Sequence, residues 1–563
     1  MNLKPRVTLV RGPIVSTVRA ANNEATPCIG LAYIAGYLRQ HGYDATIVDA
    51  IGAGLNRYWP LDDHPGYICQ GLKFNDVVDR IPADTDVIGF SAMFSGEWPV
   101  QRALLLEIRR RFPDALIVAG GEHITALPEY SLRDCPALNV CVRGEGEHSF
   151  YELVESWTEH RGFAPVNGIA YLDADGQFVL NGGLPRMKDV SSIPWPYWPA
   201  GYLEEFWAAG KSYGVCTERD MPMVISRGCP FQCTFCSSPQ MWTTLYKLRD
   251  VDDVIAEIKY CQQKYDITAV QLYDLTAITK RSWTIEFCQR LLAEGIHLKW
   301  SLPSGTRSEA LDRETLELLR KTGCNYLVYA PESGSPATLK LIKKKIQLPR
   351  LTESIREAKR QGLVLRANLI IGFPGETRAD IFQTLRYGLR LAMYGVDESS
   401  TNVFSPYPGS EIFHSLMQTG KVKLDDDYFL GLTSMYSDFT KTDLITFNDA
   451  MTPQELSRWR LAFMLAAYGV GYLLYPSRIL RTMRNVFFAS HEAATVLEHR
   501  LKDALGKIKA LAKSRAEGEP QANAAEVVVI SPSLFHLAAL RHVVGYAVVR
   551  LFLLLHIHFH LHR

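Results

Sequence analysis

The feature that most limits how this chain can fold is its rhythm. Short β-rich runs and amphipathic helical runs alternate in two separate blocks of the 563 residues. In the first block RVTLVRG, DATIVDA, DVIGFSAM, DALIVAGGE and NVCVRGEGE read as strands, with helical patterns such as GEWPVQRALLLEIRRRF between them. Strands separated by helices pair in parallel, with helices on both faces of the sheet. The expected fold class is therefore α/β, opening with a doubly wound, Rossmann-like, five-stranded parallel sheet over residues 1–165. Ligands of such sheets lie beyond the carboxyl ends of the strands. Glycines gather there: Gly12, Gly52, Gly54, Gly120, Gly121, Gly144 and Gly146. A tight turn explains any one of them, but their recurrence after successive strands points to a broad ligand lying across the edge.

A Pro- and Trp-rich stretch, SSIPWPYWPAGY, marks a linker over residues 166–215. From Met223 the alternation resumes with MVISRG, AVQLYDL, LKWSLPSG, YLVYAPES, VLRANLIIG and STNVFSP. Six βα units over residues 216–430 predict a partial (β/α)6 barrel, open on one side, with its chemistry at the strand ends. Residues 431–512 read as a helical region on the substrate side, 513–526 as a flexible linker and 527–563 as an apolar tail. The uncharged run from Leu461 to Tyr475 is short for a membrane span. The tail is interrupted by Arg541 and Arg550, so a peripheral membrane contact competes there with simple packing or a partner interface. His556, His558, His560 and His562 would share a face only on a strand.

Charge excludes one class of partner. With 61 Lys and Arg against 60 Asp and Glu, nothing in the bulk electrostatics favours nucleic acid. The opening MNLKPRVTLVRGPIV reads as a first strand rather than a secretory signal. Eleven cysteines all precede Asn325, which favours a reduced, cytoplasmic protein with a metal or redox site over a disulfide framework.

Three of those cysteines, Cys229, Cys233 and Cys236, fall within SRGCPFQCTFCSSPQMW, directly after the first strand of the second block. Structural zinc needs four ligands, and no histidine lies between His160 and His297. Three thiolates suit an iron–sulfur cubane with one iron left open. CPFQCTFC resembles the CxxxCxΦC signature of the radical S-adenosylmethionine superfamily. The resemblance implies that S-adenosylmethionine chelates the open iron of a [4Fe-4S] cluster and is cleaved there to a 5′-deoxyadenosyl radical. It also implies an electron donor such as flavodoxin or ferredoxin. By the same resemblance Phe235 lies near the adenine, and Glu332, in VYAPESGSPATLKLIKK, near the ribose. Backbone around Ile371, Gly372 and Pro374, in LIIGFPGET, contacts the adenine. Asp274, in LYDLTAIT, stands where the family carries a Gly-Gly-Glu motif near the methionine amino group.

Taken with that barrel, the first domain resembles the cobalamin-binding domain of the B12-dependent branch, most closely in VRGEGEHSFYELVE. The resemblance places Asp49, Gly52, Gly54, Gly120, Gly121, Gly144 and Gly146 at the corrinoid. In DAIGAG, Ile51 occupies the place where other corrinoid proteins carry an axial histidine. The sequence thus predicts cobalamin without a histidine at that position. His123 and His148 are nearby substitutes, each with a helix-start hydrogen bond as the expected role.

These readings leave three functions: methylation of an unactivated carbon in a small, hydrophobic or biosynthetic substrate; a radical cyclisation or rearrangement like that of the anaerobic magnesium-protoporphyrin monomethyl ester cyclase family; and a non-catalytic corrinoid sensor. The intact cysteine loop argues against the sensor. Trp459, Tyr468, Tyr472 and Tyr475 fit a hydrophobic substrate or ordinary core packing equally well.

Overall fold

The computed structural model describes residues 4–502 apart from 19, 21–24, 214, 216, 438–444 and 489–492. The linker at 513–526, the tail at 527–563 and its histidines lie outside the described residues.

Five parallel strands form the centre of the first sheet: β1 (Val7–Arg11), β2 (Ala45–Asp49), β3 (Val87–Ser91), β4 (Leu116–Gly120) and β5 (Val140–Val142). Two further strands, β6 (Ile169–Leu172) and β7 (Phe178–Asn181), join antiparallel to give the order β7-β6-β5-β4-β3-β1-β2. The linker assignment for residues 166–215 therefore needs correction. IAYL and FVLN are a hairpin turned at DADG, and they belong to the sheet. The physical cause is the exposed edge of β5, whose backbone groups would otherwise lack partners. Connectivity reverses between β1 and β3, the switch point where such sheets bind ligands.

Six strands form the second sheet in chain order, all parallel: β8 (Asp220–Met223), β9 (Ala269–Leu272), β10 (Lys299–Thr306), β11 (Cys324–Glu332), β12 (Val364–Ile371) and β13 (Glu398–Val403). Each pairs only with its sequential neighbours, so β8 and β13 leave the sheet open. The helix Pro453–Leu474 runs beside β13 from the carboxyl-end side, where Leu456 packs on Gly372, to the amino-end side, where Tyr475 meets Met393. A capping box of Thr452 and Glu455 starts this helix. Beyond it, Val496 and Leu497 donate backbone N–H groups to Glu398, and His499 meets the Gly210 carbonyl. The carboxy-terminal segment thus spans the gap at the amino ends of the strands.

Of the two readings left open for the carboxy-terminal aromatics, that placement supports packing. Tyr468 donates to Glu398, Tyr472 pairs with Thr482, Tyr475 donates to the Met393 carbonyl, and Trp459 packs edge-on to Phe382. The three tyrosines secure the end of the sheet remote from the cysteine loop, whereas Trp459 packs nearer the carboxyl-end side of the strands. No described helix is long and apolar enough to cross a membrane.

One apolar core crosses the domain boundary. Val10, Ile88 and Ile117 of the first sheet share a cluster with Phe373, Phe404 and Phe413 of the second unit.

Candidate active site

The cysteine loop leaves β8 and is shaped by its neighbours. Asp274, buried just beyond β9, accepts the backbone N–H groups of Ile225 and Ser226 and the Ser226 hydroxyl. Burial raises its pKa to about 6 against those bonds. The carboxylate thus straps the chain at the point where the loop begins. Further along, the Thr234 N–H donates to the Ile342 carbonyl at 3.1 Å. The Arg307 guanidinium lies 3.5 Å from the centre of the Phe231 ring, a cation–π contact that packs the loop's outer turn.

Cys229, Cys233 and Cys236 are all free thiols, each half-buried. Burial raises the pKa of all three, to about 12 for Cys236. Lys344 and Arg307 act against that rise at Cys229 and Cys233. Among the described residues, no set of His, Cys, Asp or Glu side chains converges on a single metal ion. Three thiols spread along one loop instead fit a cluster in which each thiolate meets a different iron.

Glu332 ends β11 with φ of +62°, after a break in register with β12. A non-glycine residue there is strained, and such strain concentrates at functional positions. Its carboxylate is paired with the buried Lys344 ammonium at 3.0 Å, and both lie beside Cys233. The Gly372–Pro374 turn after Ile371 folds around Glu376, which accepts from Gly372 and Phe373 N–H and from the Thr338 hydroxyl. Burial raises the Glu376 pKa to about 7 despite those bonds. Phe235, half-buried, leans on this turn with its ring centre 5.7 Å from that of Phe373. Phe235, Glu332 and the Ile371–Pro374 turn therefore converge on the cysteine loop, whereas Asp274 is spent on the backbone beneath it.

At the edge of the first sheet the glycines divide into two kinds. A Cβ on Gly54 would lie 2.7 Å from the backbone of Gly71, and one on Gly52 would touch Tyr202, Asp49 and Phe206. Gly121, at φ of +116°, passes within 2.6 Å of the Ala92 carbonyl by the same measure. These three are required by the protein's own packing. Gly120 is different: a Cβ there meets nothing closer than 3.6 Å. Gly144 and Gly146 have intermediate room, at 3.4 and 3.3 Å. Met93 and Phe94, just past β3, expose apolar surface at the same edge. Asp49 is fully engaged, accepting from Ile51 N–H at 2.9 Å and the Tyr202 hydroxyl at 2.6 Å, with Arg11 3.5 Å away. Ile51 itself is 1% exposed, covered by Phe206, Ala25 and Leu55.

Neither histidine near this edge is free. His123 lies in the core, stacked on Trp98, with Ser95 and Ser131 hydroxyls on its two ring nitrogens. Burial lowers its pKa to about 3, so the ring is neutral. This differs from the helix-start role expected for it, because the helix at Glu122–Ala126 turns the ring inward. His148 is engaged by Glu152 and the Tyr37 hydroxyl.

Comparison with known proteins identifies the two α/β units. Residues 223–388 match the model of the radical SAM superfamily, and residues 16–154 match the B12 binding domain. The chain carries a B12-binding domain and a radical SAM domain. It is similar to an uncharacterized methyltransferase of Pyrococcus horikoshii, 26% identical over 84% of this chain and 94% of the relative. It is also similar to the anaerobic magnesium-protoporphyrin IX monomethyl ester cyclase of Rubrivivax gelatinosus, at 28% over 69% of this chain and 66% of the relative. Its fold matches that of the radical S-adenosylmethionine methyltransferase TsrM of Kitasatospora setae, solved with cobalamin and a [4Fe-4S] cluster. That match has a TM-score of 0.60 at 13% identity, over 91% of this chain and 100% of that one. The chain is an enzyme whose cofactors are S-adenosylmethionine, a [4Fe-4S] cluster and cobalamin. Three unpaired thiols and an edge with an open glycine are a donor set and a surface that fit them.

The B12-binding and radical SAM domains meet through charged groups that the sequence did not single out. Arg227, two residues before Cys229, pairs with Glu147 at 2.7 Å, and both side chains are nearly buried. The same guanidinium lies 4.8 Å from the Tyr33 ring centre. Arg186 stands 3.3 Å from Glu145, a charge contact without hydrogen-bond geometry. The second oxygen of Glu145 accepts the Met187 N–H at 2.5 Å. The Ser237 hydroxyl, next to Cys236, donates to Glu122, whose pKa is raised by burial. The GEGE loop after β5 and the helix after β4 are thus fastened to both ends of the cysteine loop. The only sequence signal was the acid-rich RGEGE itself, and it named no partner.

Proposed function

We propose that this protein is a cobalamin-dependent radical S-adenosylmethionine methyltransferase acting on an unactivated carbon of a small molecule. The observation that carries the reading is the fastening of the cysteine loop to the B12-binding edge through Arg227–Glu147 and Ser237–Glu122. Two cofactor sites joined by a buried ion pair and a hydrogen bond keep a fixed separation, which a reaction using both on one substrate requires.

Cys229, Cys233 and Cys236 would hold the cluster, and Glu332, Phe235 and the Ile371–Pro374 turn would seat S-adenosylmethionine. Gly120, Gly144 and Gly146 would admit the corrinoid. When bound, these groups supply a substrate-activating 5′-deoxyadenosyl radical and a methyl carrier. Lys344 and Arg307 place positive charge beside the thiolates. Asp274 fixes the strand from which the loop springs. Phe235 and Phe373 close the loop side of the site with apolar surface and exclude water. Ile51 cannot ligate cobalt, and His123 and His148 are engaged elsewhere, so none of these three positions would offer the corrinoid a histidine.

The relative from Rubrivivax gelatinosus supports a second reading, a radical cyclisation or oxidation. Anaerobic reconstitution with iron, sulfide and hydroxocobalamin, followed by turnover with a reductant and candidate substrates, separates the two. S-adenosylhomocysteine together with 5′-deoxyadenosine is expected for methylation. 5′-Deoxyadenosine with altered substrate and no S-adenosylhomocysteine assigns cyclisation. Neither product from cluster-loaded protein overturns both.

A further inference from the structure

The turn between the helices Pro336–Leu341 and Leu348–Arg360 is unusually basic and lies in an unusual place. Lys340, Lys343, Lys344 and Lys345 line a surface hollow of 490 Å³ whose remaining wall is apolar, including Leu339, Ile346 and Leu348. This turn rests on the outside of the cysteine loop. The Ile342 carbonyl accepts from Thr234, between the second and third cysteines. The Lys345 carbonyl accepts from Arg307, whose guanidinium covers Phe231 between the first and second. Lys344 points inward to Glu332. Its neighbours point outward: Lys340, Lys343 and Lys345 are exposed. Lys343 pairs with the equally exposed Glu411, while Lys340 and Lys345 form no ion pair among the described residues. An exposed cation without a carboxylate costs nothing in water, but two on the rim of one apolar-floored hollow, with Lys343 beside them, make a complementary surface for an acidic one.

We propose that this lysine-rimmed hollow docks a small, acidic, one-electron carrier protein that reduces the cluster. The inference rests on the assignment of the cluster to the three cysteines. One electron leaves the carrier, which is oxidised by one equivalent, and enters the cluster, which is reduced by one. No bond forms or breaks and no proton moves. Apolar contact at the floor brings the carrier's redox group toward the loop, and the lysine rim steers its acidic face. Thr234 N–H on the Ile342 carbonyl, and Arg307 bridging the Lys345 carbonyl to the Phe231 ring, join the turn directly to the cysteine loop.

The test uses cluster-loaded full-length protein and follows bleaching of the cluster absorbance in stopped flow. The reductants are reduced flavodoxin, an acidic carrier, and photoreduced deazaflavin, a small molecule that needs no docking site. K340E/K345E should lower the flavodoxin rate constant by about tenfold at low ionic strength and abolish its dependence on salt. It should leave the deazaflavin rate unchanged, and K340R/K345R should retain the wild-type flavodoxin rate. An unchanged flavodoxin rate in K340E/K345E overturns the proposal, as does equal slowing with both reductants. Iron and sulfide analysis of the same samples keeps the two assignments apart: wild-type protein that takes up no cluster overturns the cysteine assignment, not the charge argument alone.

Discussion

The edge of the B12-binding domain and the cysteine loop of the radical SAM domain use their motif residues in opposite ways. At the edge, Asp49 is consumed by Tyr202, Ile51 and Arg11, and Gly54 exists so that the chain can pass Gly71. In the loop, the three cysteines form no disulfide, and beyond backbone N–H contacts from Phe231 to Cys229 and from Ser238 to Cys236 their half-buried sulfurs are left open to a ligand. A motif residue whose polar groups are already satisfied is holding the fold, and one left unsatisfied is waiting for a ligand. Substitutions at the two places should therefore fail differently, in folding at one and in loading at the other.

The largest difference is expected at the loop. Replacing Cys229, Cys233 or Cys236 by Ala should abolish stable cluster loading, read as iron and sulfide per chain. The thermal midpoint of cluster-free protein should scarcely move. Next comes the joint between the domains. Glu147→Ala leaves Arg227 buried without its partner and should cost about 3–5 kcal/mol in denaturant unfolding. Glu147→Leu with Arg227→Met should recover much of that loss, which a purely local cavity would not.

A titration gives the third contrast. Burial holds the Glu376 pKa at about 7, above its ordinary 4.5. The folded state therefore binds more protons than the unfolded state between those values, and stability falls as pH rises from about 4.5 to 7. The full span is about 3 kcal/mol by linkage, and Glu376→Gln should flatten that part of the stability–pH curve. Asp274 contributes in the same direction over a lower window, ending near pH 6.

The glycines give the sharpest test at the smallest scale. Gly54→Ala forces a Cβ against backbone and should cost about 1–3 kcal/mol with or without cobalamin. Gly120→Ala has room and should change stability by no more than about 0.5 kcal/mol. Its effect should appear only as weaker cobalamin binding in an absorbance titration. Equal behaviour of the two variants would erase the distinction between packing glycines and ligand-facing ones.

Periodicity made both sheets legible, because a strand–helix alternation admits few arrangements. The cysteine spacing made the loop legible, because three close thiols have few uses. What escaped depends on distance along the chain. Glu147 and Arg227 are 80 positions apart, and neither residue type announces its partner. Asp274 reads as a ligand by position, but only the fold reveals that Ile225 and Ser226 claim it. The hairpin at residues 169–181 was readable in principle from DADG between two β-rich runs, and the neighbouring Pro- and Trp-rich stretch obscured it. The aromatic helix Pro453–Leu474 was ambiguous for a different reason. Composition cannot distinguish a side chain that lines a pocket from one that closes a sheet.

The core shared by Val10, Ile88, Phe373 and Phe413, with the ion pairs at Glu145 and Glu147, bears on how such proteins are built and rebuilt. Cut at its sequence boundary, the B12-binding half would carry away two buried carboxylates whose arginines stay behind. Grafted onto another barrel, it would need Arg186 and Arg227 to travel with it. The two halves are interchangeable in name only: each completes the other's core and charges.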